Sequence, residues 1–128
     1  MTFERFAVVR VPFPFTERQA TKYRPALVLS DPAAFNTPAG HSVMAMITSA
    51  ANPPWPLDCP IEDLAAAGLP APSKVRFKLF TLDHRLVRGQ LGRLSAADEA
   101  RVREGLATLL GLSGQERLSR RPRRRDTR

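Results

Sequence analysis

The chain predicts a mainly β, α+β domain that ends in a single helix, and three observations predict it. Short apolar runs recur between breaks that contain Pro, Gly or Asn, which is the rhythm of strands rather than of long helices. Twelve prolines against seven glycines favour short elements on stiff loops over a helical bundle. Only one stretch, from Ser95 to Gly111, combines a cap, first-turn acids and an apolar stripe.

At 128 residues the chain is long enough for one domain with a modest core, and its 43% apolar content is that of a globular protein. No apolar run approaches the roughly 18 residues that span a bilayer. Met1-Thr2-Phe3-Glu4-Arg5 lacks the layout of a signal peptide, so a soluble, cytoplasmic domain is expected. Cys59 is the single cysteine, which excludes an intrachain disulfide and a thiolate metal cluster. The net charge of +8 is uneven. Residues 111–128 hold seven arginines against Glu116 and Asp126, whereas residues 1–110 carry only +3. Two parts are therefore expected: a folded domain over 1–112 and a disordered Arg-rich tail over 113–128. A mildly basic domain suits a polyanionic partner.

Phe6 to Phe13 is the first expected strand. Pro12 and Pro14 place its end at an edge or a bulge, because proline cannot donate to a ladder. Thr16 to Tyr23 is a charged connection. The segment Tyr23-Arg24-Pro25-Ala26-Leu27-Val28-Leu29-Ser30 organises the chain. Pro25 biases Arg24 toward extended backbone, and Ala26 to Leu29 form a buried strand with Arg24 at its mouth. Asp31 to Gly40 is expected to be a turn region. His41 to Ser49 is a third strand, apolar on both faces and ending in two hydroxyls, Thr48 and Ser49. A stiff loop through Trp55 follows, then a short strand near Leu57 to Pro60 and a short helix over Ile61 to Ala67 stopped by Gly68. Lys74 to Phe80 alternates, so Lys74, Arg76, Lys78 and Phe80 share one face while Val75, Phe77 and Leu79 meet the core. Cations then recur about every 6.6 Å, a spacing that suits phosphates. Gln90 to Leu94 is the last strand. In the final helix Ser95 caps, and Val102, Leu106, Leu109 and Leu110 form the packing stripe.

These blocks resemble the MazF/PemK family of toxins. The resemblance rests on Val11-Pro12-Phe13-Pro14-Phe15-Thr16, on Lys22 to Ser30, on Ile47-Thr48-Ser49, on Ala67-Gly68-Leu69 with Ser73, on Phe80 to Asp83, and on Leu91-Gly92. It implies a small SH3-like β-barrel of the MazF/CcdB type with a C-terminal helix, and a homodimer. It implies too a metal-independent endoribonuclease that needs no cofactor, cuts single-stranded RNA and is silenced by a cognate antitoxin. The family's catalytic Arg and Thr fall on Arg24 and Thr48. Thr16, Lys22, Ser49, Trp55, Arg76 and Lys78 are the candidate substrate contacts. Phe6-Ala7 replaces a Gly-acid pair, Gln19 stands where several relatives carry an acid, and Arg76-Phe77-Lys78 replaces an Arg-x-Asp.

The residue types fit that chemistry. A guanidinium fork can hold two oxygens of a phosphorane, and it donates hydrogen bonds without accepting any. The Thr48 hydroxyl can donate to the same oxygens or orient the ribose 2′-OH. His41 and His84 are expected to play surface roles, and Cys59 to be buried and inert. Trp55 is the best candidate to stack a base, with Phe15 and Phe80 more suited to the core. Two other readings stay open: a gyrase-binding toxin of the same barrel, and a decayed relative that binds RNA or antitoxin only. Deleting residues 113–128 is expected to leave the pattern of RNA cuts unchanged. A different set of cut sites in the truncated chain would contradict the tail's assignment as a non-specific element.

Overall fold

The computed structural model of the protein describes residues 2–13 and 22–112. Pro14, Phe15, Thr16, Glu17, Gln19 and the Arg-rich tail, with the expectations placed on them, lie outside the described residues. Six antiparallel strands form one curled sheet: β1 (Ala7–Phe13), β2 (Lys22–Val28), β3 (His41–Ser49), β4 (Cys59–Pro60), β5 (Ser73–Asp83) and β6 (Gln90–Arg93). Their spatial order is β4-β5-β3-β2-β1-β6. Three α-helices, α1 (Thr37–Ala39), α2 (Leu64–Ala67) and α3 (Ala96–Leu109), a π-helical turn over Pro32–Asn36 and a 3-10 turn over His84–Leu86 complete the described chain.

The central strands are apolar on both faces because both faces are covered. On one face Phe6, Val8, Leu27, Leu29, Ala45 and Ile47 pack with Val75 and Phe77 beneath Val102 and Leu106 of α3. On the other, Ala7, Val9, Val11, Ala26, Val28 and Met44 pack against Phe3 and Leu82. Proline positions follow the ladder. The Arg10 amide donates toward the β6 side, to the Gly89 carbonyl at 2.9 Å, so the period of two turns the Pro12 nitrogen the same way. The β1–β6 pairing covers only Ala7 to Val9, leaving Pro12 at a local edge as its chemistry requires.

Several elements differ from the sequence expectation. Strand β2 begins at Lys22, so Arg24 is its third residue rather than its first. Asp31 to Gly40 is not a simple turn: the Asp31 carboxylate caps a π-helical turn over Pro32–Asn36 that runs into α1. Buried Asn36 explains this, since its amide donates to the Phe3 and Ser30 carbonyls at 2.8 and 2.9 Å. Helix α3 starts as expected, with Ser95 accepting from the Asp98 amide. Its stripe buries Val102 and half-buries Leu106, but Leu109 and Leu110 are exposed, because α3 outruns the sheet it covers. Strand β5 likewise extends past that cover. Leu79 is exposed there, and Phe80, on the face expected to be basic, packs against the second core.

The two outer strands approach each other through α2. It follows β4 in the chain and packs its C-terminal turn on β6, backbone against backbone. A Cβ at Gly68 would stand 2.1 Å from the Leu91 carbonyl oxygen, and one at Gly92 would stand 2.4 Å from that of Ala66. Both distances are far inside van der Waals contact. Gly92→Ala is therefore expected to cost about 2–3 kcal/mol and lower the melting temperature by roughly 10 °C or more. Gly40→Ala, with φ +67° but open space around it, should cost only about 1 kcal/mol. A Gly92→Ala protein that melts no lower than Gly40→Ala would refute the close packing.

Candidate active site

Arg24 and Thr48 meet because of where the β2–β3 ladder stops. The pairs Ala26–Met46, Leu27–Ala45 and Val28–Met44 set a register that, continued, puts Arg24 opposite Thr48. The Leu29 amide donates to the Val43 carbonyl at 2.8 Å, so the amides at every second residue of β2 face β3. The next donor but one in that series is position 25, and Pro25 has none. The strands part at that point. A cleft of about 240 Å³ opens there, lined by Arg24, Pro25, Ile47, Thr48, Ser49 and the segment from Leu69 to Ser73. Alternation turns Pro25 and Ile47 to one side of the sheet and Arg24 and Thr48 to the other, so the cleft spans the split.

Each functional side chain has a mount. Arg24 is exposed, and its guanidinium lies 5.1 Å from the centre of the Phe13 ring. Thr48 is half-buried, and its hydroxyl oxygen accepts from the Asn52 side-chain amide at 2.5 Å. That bond occupies one lone pair and leaves the hydroxyl hydrogen to be given to a ligand. Ser49 accepts from the Ala51 amide at 3.2 Å and lines the same cleft despite its opposite alternation.

Asp58 fixes the loop that carries Asn52. Its carboxylate accepts from Arg76 at 3.2 and 2.9 Å and pairs with the Lys74 ammonium at 3.0 Å. Lys74 donates onward to the Asn52 carbonyl at 2.8 Å, and Arg76 to the Pro53 carbonyl at 2.7 Å. One carboxylate thus ties two strand cations to both ends of residues 52–58, and through Asn52 it orients Thr48. The Arg76 hydrogen bonds, and then those of Lys74 and the Trp55 amide, hold the Asp58 carboxyl below its ordinary range against the opposing effect of burial. The same bonds push Arg76 upward.

The expected row of cations along β5 is accordingly corrected: Lys74 is buried, and Lys74 and Arg76 share the one Asp58 carboxylate, which cancels one of their two charges. Lys78 remains exposed, its ammonium 4.5 Å from the centre of the Trp55 ring, with the Arg76 guanidinium at 5.6 Å. Trp55, Arg76 and Lys78 therefore form one cluster on the loop beside the cleft. Lys22 is exposed at the start of β2, opposite Phe13. Thr16 lies outside the described residues. Sequence reasoning missed Asn52 and Asp58. An acid three residues after Trp55, facing a strand of alternating cations, was a usable signal for Asp58, whereas nothing local marked Asn52.

Both histidines are remote from the cleft. His41 opens β3, seven residues or roughly 23 Å from Thr48. His84 is buried rather than superficial, contrary to expectation: its Nε2 lies 2.7 Å from the Ser42 hydroxyl and its ring stands edge-on to Phe3. Cys59 is buried, and burial pushes its thiol up. Among the described residues no three His, Cys, Asp or Glu side chains are grouped to hold a metal ion.

Asp58→Asn is expected to destabilise the fold by about 3 kcal/mol, since Lys74 would keep its buried charge without a counter-ion. The sign with pH follows from the lowered carboxyl. Its contribution is complete at neutral pH and is lost as pH falls below the usual carboxylate range. Melting curves from neutral pH to about pH 3 should therefore show the gap between wild type and Asp58→Asn closing on acidification. A gap that is constant with pH would contradict the ion-pair assignment.

A family model described as the PemK-like, MazF-like toxin of type II toxin-antitoxin system matches residues 4–110. No curated protein matches the chain at a significant level. Among solved structures, MazE-MazF from Deinococcus radiodurans is 29% identical, with a TM-score of 0.67 over 88% of this chain and 99% of that one. An endoribonuclease in complex with its cognate antitoxin, from a mycobacterial species, is 21% identical with a TM-score of 0.68 over 88% and 97%. Mycobacterium tuberculosis toxin MazF-mt6 is 22% identical with a TM-score of 0.66 over 84% and 99%. The last two show the same fold. With the family match running from Glu4 through the end of α3, the chain belongs to the PemK/MazF family of toxins of type II toxin–antitoxin systems.

Proposed function

We propose that this toxin is an endoribonuclease that cleaves single-stranded RNA without a metal cofactor. The observation that carries this reading is the convergence of Arg24 and Thr48 on one cleft at the split between β2 and β3. In the proposed reaction the ribose 2′ oxygen attacks the adjacent phosphorus and loses its proton, the bond from phosphorus to the 5′ oxygen breaks, and that oxygen takes up a proton. The products are a 2′,3′-cyclic phosphate and a 5′-hydroxyl end. Such a route requires RNA, since DNA lacks the nucleophile.

Charge grows on the non-bridging oxygens as the phosphorane forms, and the Arg24 fork is suited to hold two of them. Thr48, with its oxygen already engaged by Asn52, has its hydrogen free to donate to a third or to orient the 2′-OH. Trp55, exposed and flanked by Lys78 and Arg76, offers a surface on which an unpaired base can stack. Lys22, Ser49 and Thr16 belong to the same proposal as substrate contacts. The solved relatives named as MazE-MazF and as an endoribonuclease with its cognate antitoxin support an antitoxin partner for this chain as well. An acidic and apolar antitoxin segment would compete with RNA for Arg24, and a homodimer is proposed as the active assembly.

The test is incubation of a long mixed-sequence RNA with the purified protein in EDTA. Discrete cuts with 5′-hydroxyl ends are expected, reduced at least about 100-fold by Arg24→Ala. Arg24→Lys should recover only part of the rate, because a point charge cannot hold two oxygens at once. Intact RNA with the folded wild type would sink the proposal and favour the gyrase-binding or decayed readings.

A further inference from the structure

The described cations fall into two groups. Lys74, Arg76, Arg85, Arg93 and Arg101 each have a carboxylate within ion-pair distance. Arg5, Arg10, Lys22, Arg24, Lys78, Arg88 and Arg103 have none among the described residues, and of these Arg10, Lys22, Arg24 and Arg88 are exposed together at the open end of β1 and β2. Arg10 and Arg88 converge on one ring. Their guanidinium carbons stand 5.5 and 5.8 Å from the centre of Tyr23, which is 42% exposed. The backbone enforces this grouping: the Arg88 amide donates to the Arg10 carbonyl at 2.8 Å, and the Arg10 amide to the Gly89 carbonyl at 2.9 Å.

The cluster adjoins the cleft. Arg10 is the ladder partner of Pro25, and alternation puts Tyr23 and Pro25 on the same side of the sheet as Arg10. Pro25 is itself a wall of the cleft. A strand leaving the cleft across Pro25 therefore meets Arg10, Tyr23 and Arg88 within two strand spacings, about 10 Å. Two guanidinium planes around an exposed phenol ring, with no carboxylate among the described residues within ion-pair distance, present phosphate forks and π faces together. That combination recognises a single-stranded nucleic acid.

We propose that Arg10, Tyr23 and Arg88 form a second binding patch that holds the RNA strand outside the cleaved step. This rests on the ribonuclease reading above and extends it. The patch supplies affinity and positions the strand, while Arg24 and Thr48 act at the phosphorus. An acidic peptide would use the charges but not the ring, which is why RNA is the assigned occupant.

The test uses the full chain and a fluorescein-labelled 2′-O-methyl oligonucleotide of mixed sequence, roughly 15 nucleotides long, which cannot be cut by 2′ attack. Binding is followed by anisotropy between about 50 and 200 mM salt. Arg10→Ala/Arg88→Ala is expected to weaken binding about tenfold at low salt and to reduce the slope of log affinity against log salt by about 1.4, or 0.7 per lost phosphate contact. Arg88→Ala alone, outside the strands, should give half of that change in slope. Tyr23→Leu should weaken binding about fivefold with the slope unchanged, and Tyr23→Phe should restore it. A double variant that binds within twofold of wild type overturns the patch and leaves the ribonuclease reading standing. A wild-type chain that does not bind the probe at all overturns both. Retained RNA affinity with lost affinity for a poly-glutamate peptide would assign the surface to a protein partner and overturn the proposal.

Discussion

The fold depends on a place where the chain has no side chains to spare. Gly68 and Gly92 let the turn after α2 lie directly on β6, and this contact brings the β4 side of the sheet round to its other edge. Any Cβ at either position would meet backbone rather than a side chain able to move, so packing this close requires glycine at both. The curl has two consequences. It shields both faces of β1, β2 and β3, so their continuous apolar sequence is satisfied on each side. It also leaves α3 a single patch of sheet to cover, which is why Val102 is buried while Leu109, Leu110 and Leu112 stay exposed.

Within that frame the site arises from a defect in hydrogen bonding. A strand pair that continued past Ala26 and Met46 would close the space between Arg24 and Thr48. Pro25 removes the donor that continuation needs, and the strands separate into a cleft. The rigid ladder behind it holds both side chains in register, so the opening adds little freedom to the groups that line it. The loop from Asn52 to Asp58 could have been the loose wall of the site. Instead Asp58 binds it to β5 through two cations, and Asn52 passes that rigidity to Thr48.

Charge is divided by the same geometry. Lys74 and Arg76 on β5 serve the structure, because both are tied to Asp58, which cancels one of their two charges. Arg10, Lys22, Arg24 and Arg88, at the open end of β1 and β2, have no such neighbour among the described residues. The formal charge of residues 1–110 is only +3, yet four of the described cations without a carboxylate partner gather beside the cleft. For a polyanionic substrate, that concentration matters more than the sum.

Much was legible in the sequence because it is local. Alternation and apolar runs marked β1, β2, β3 and β6; Ser95 and the first-turn acids marked the start of α3; and Gly68 marked the end of α2. Arg24, Pro25 and Thr48 stood out for the same reason, as residue types that only certain backbone positions accommodate. What the sequence could not determine was which side chains become neighbours across long loops. The period of two correctly put Lys74, Arg76 and Lys78 on one face of β5, but only the tertiary structure brought Asp58 under the first two and Trp55 over the third. Likewise the apolar stripe of α3 was visible in its spacing, while the point where its cover ends depended on how far the curled sheet extends. Periodicity is fixed by bonds along the chain; pairing, burial and the neutralisation of charge are fixed by contacts between segments distant in sequence, and those exist only once the sheet has closed.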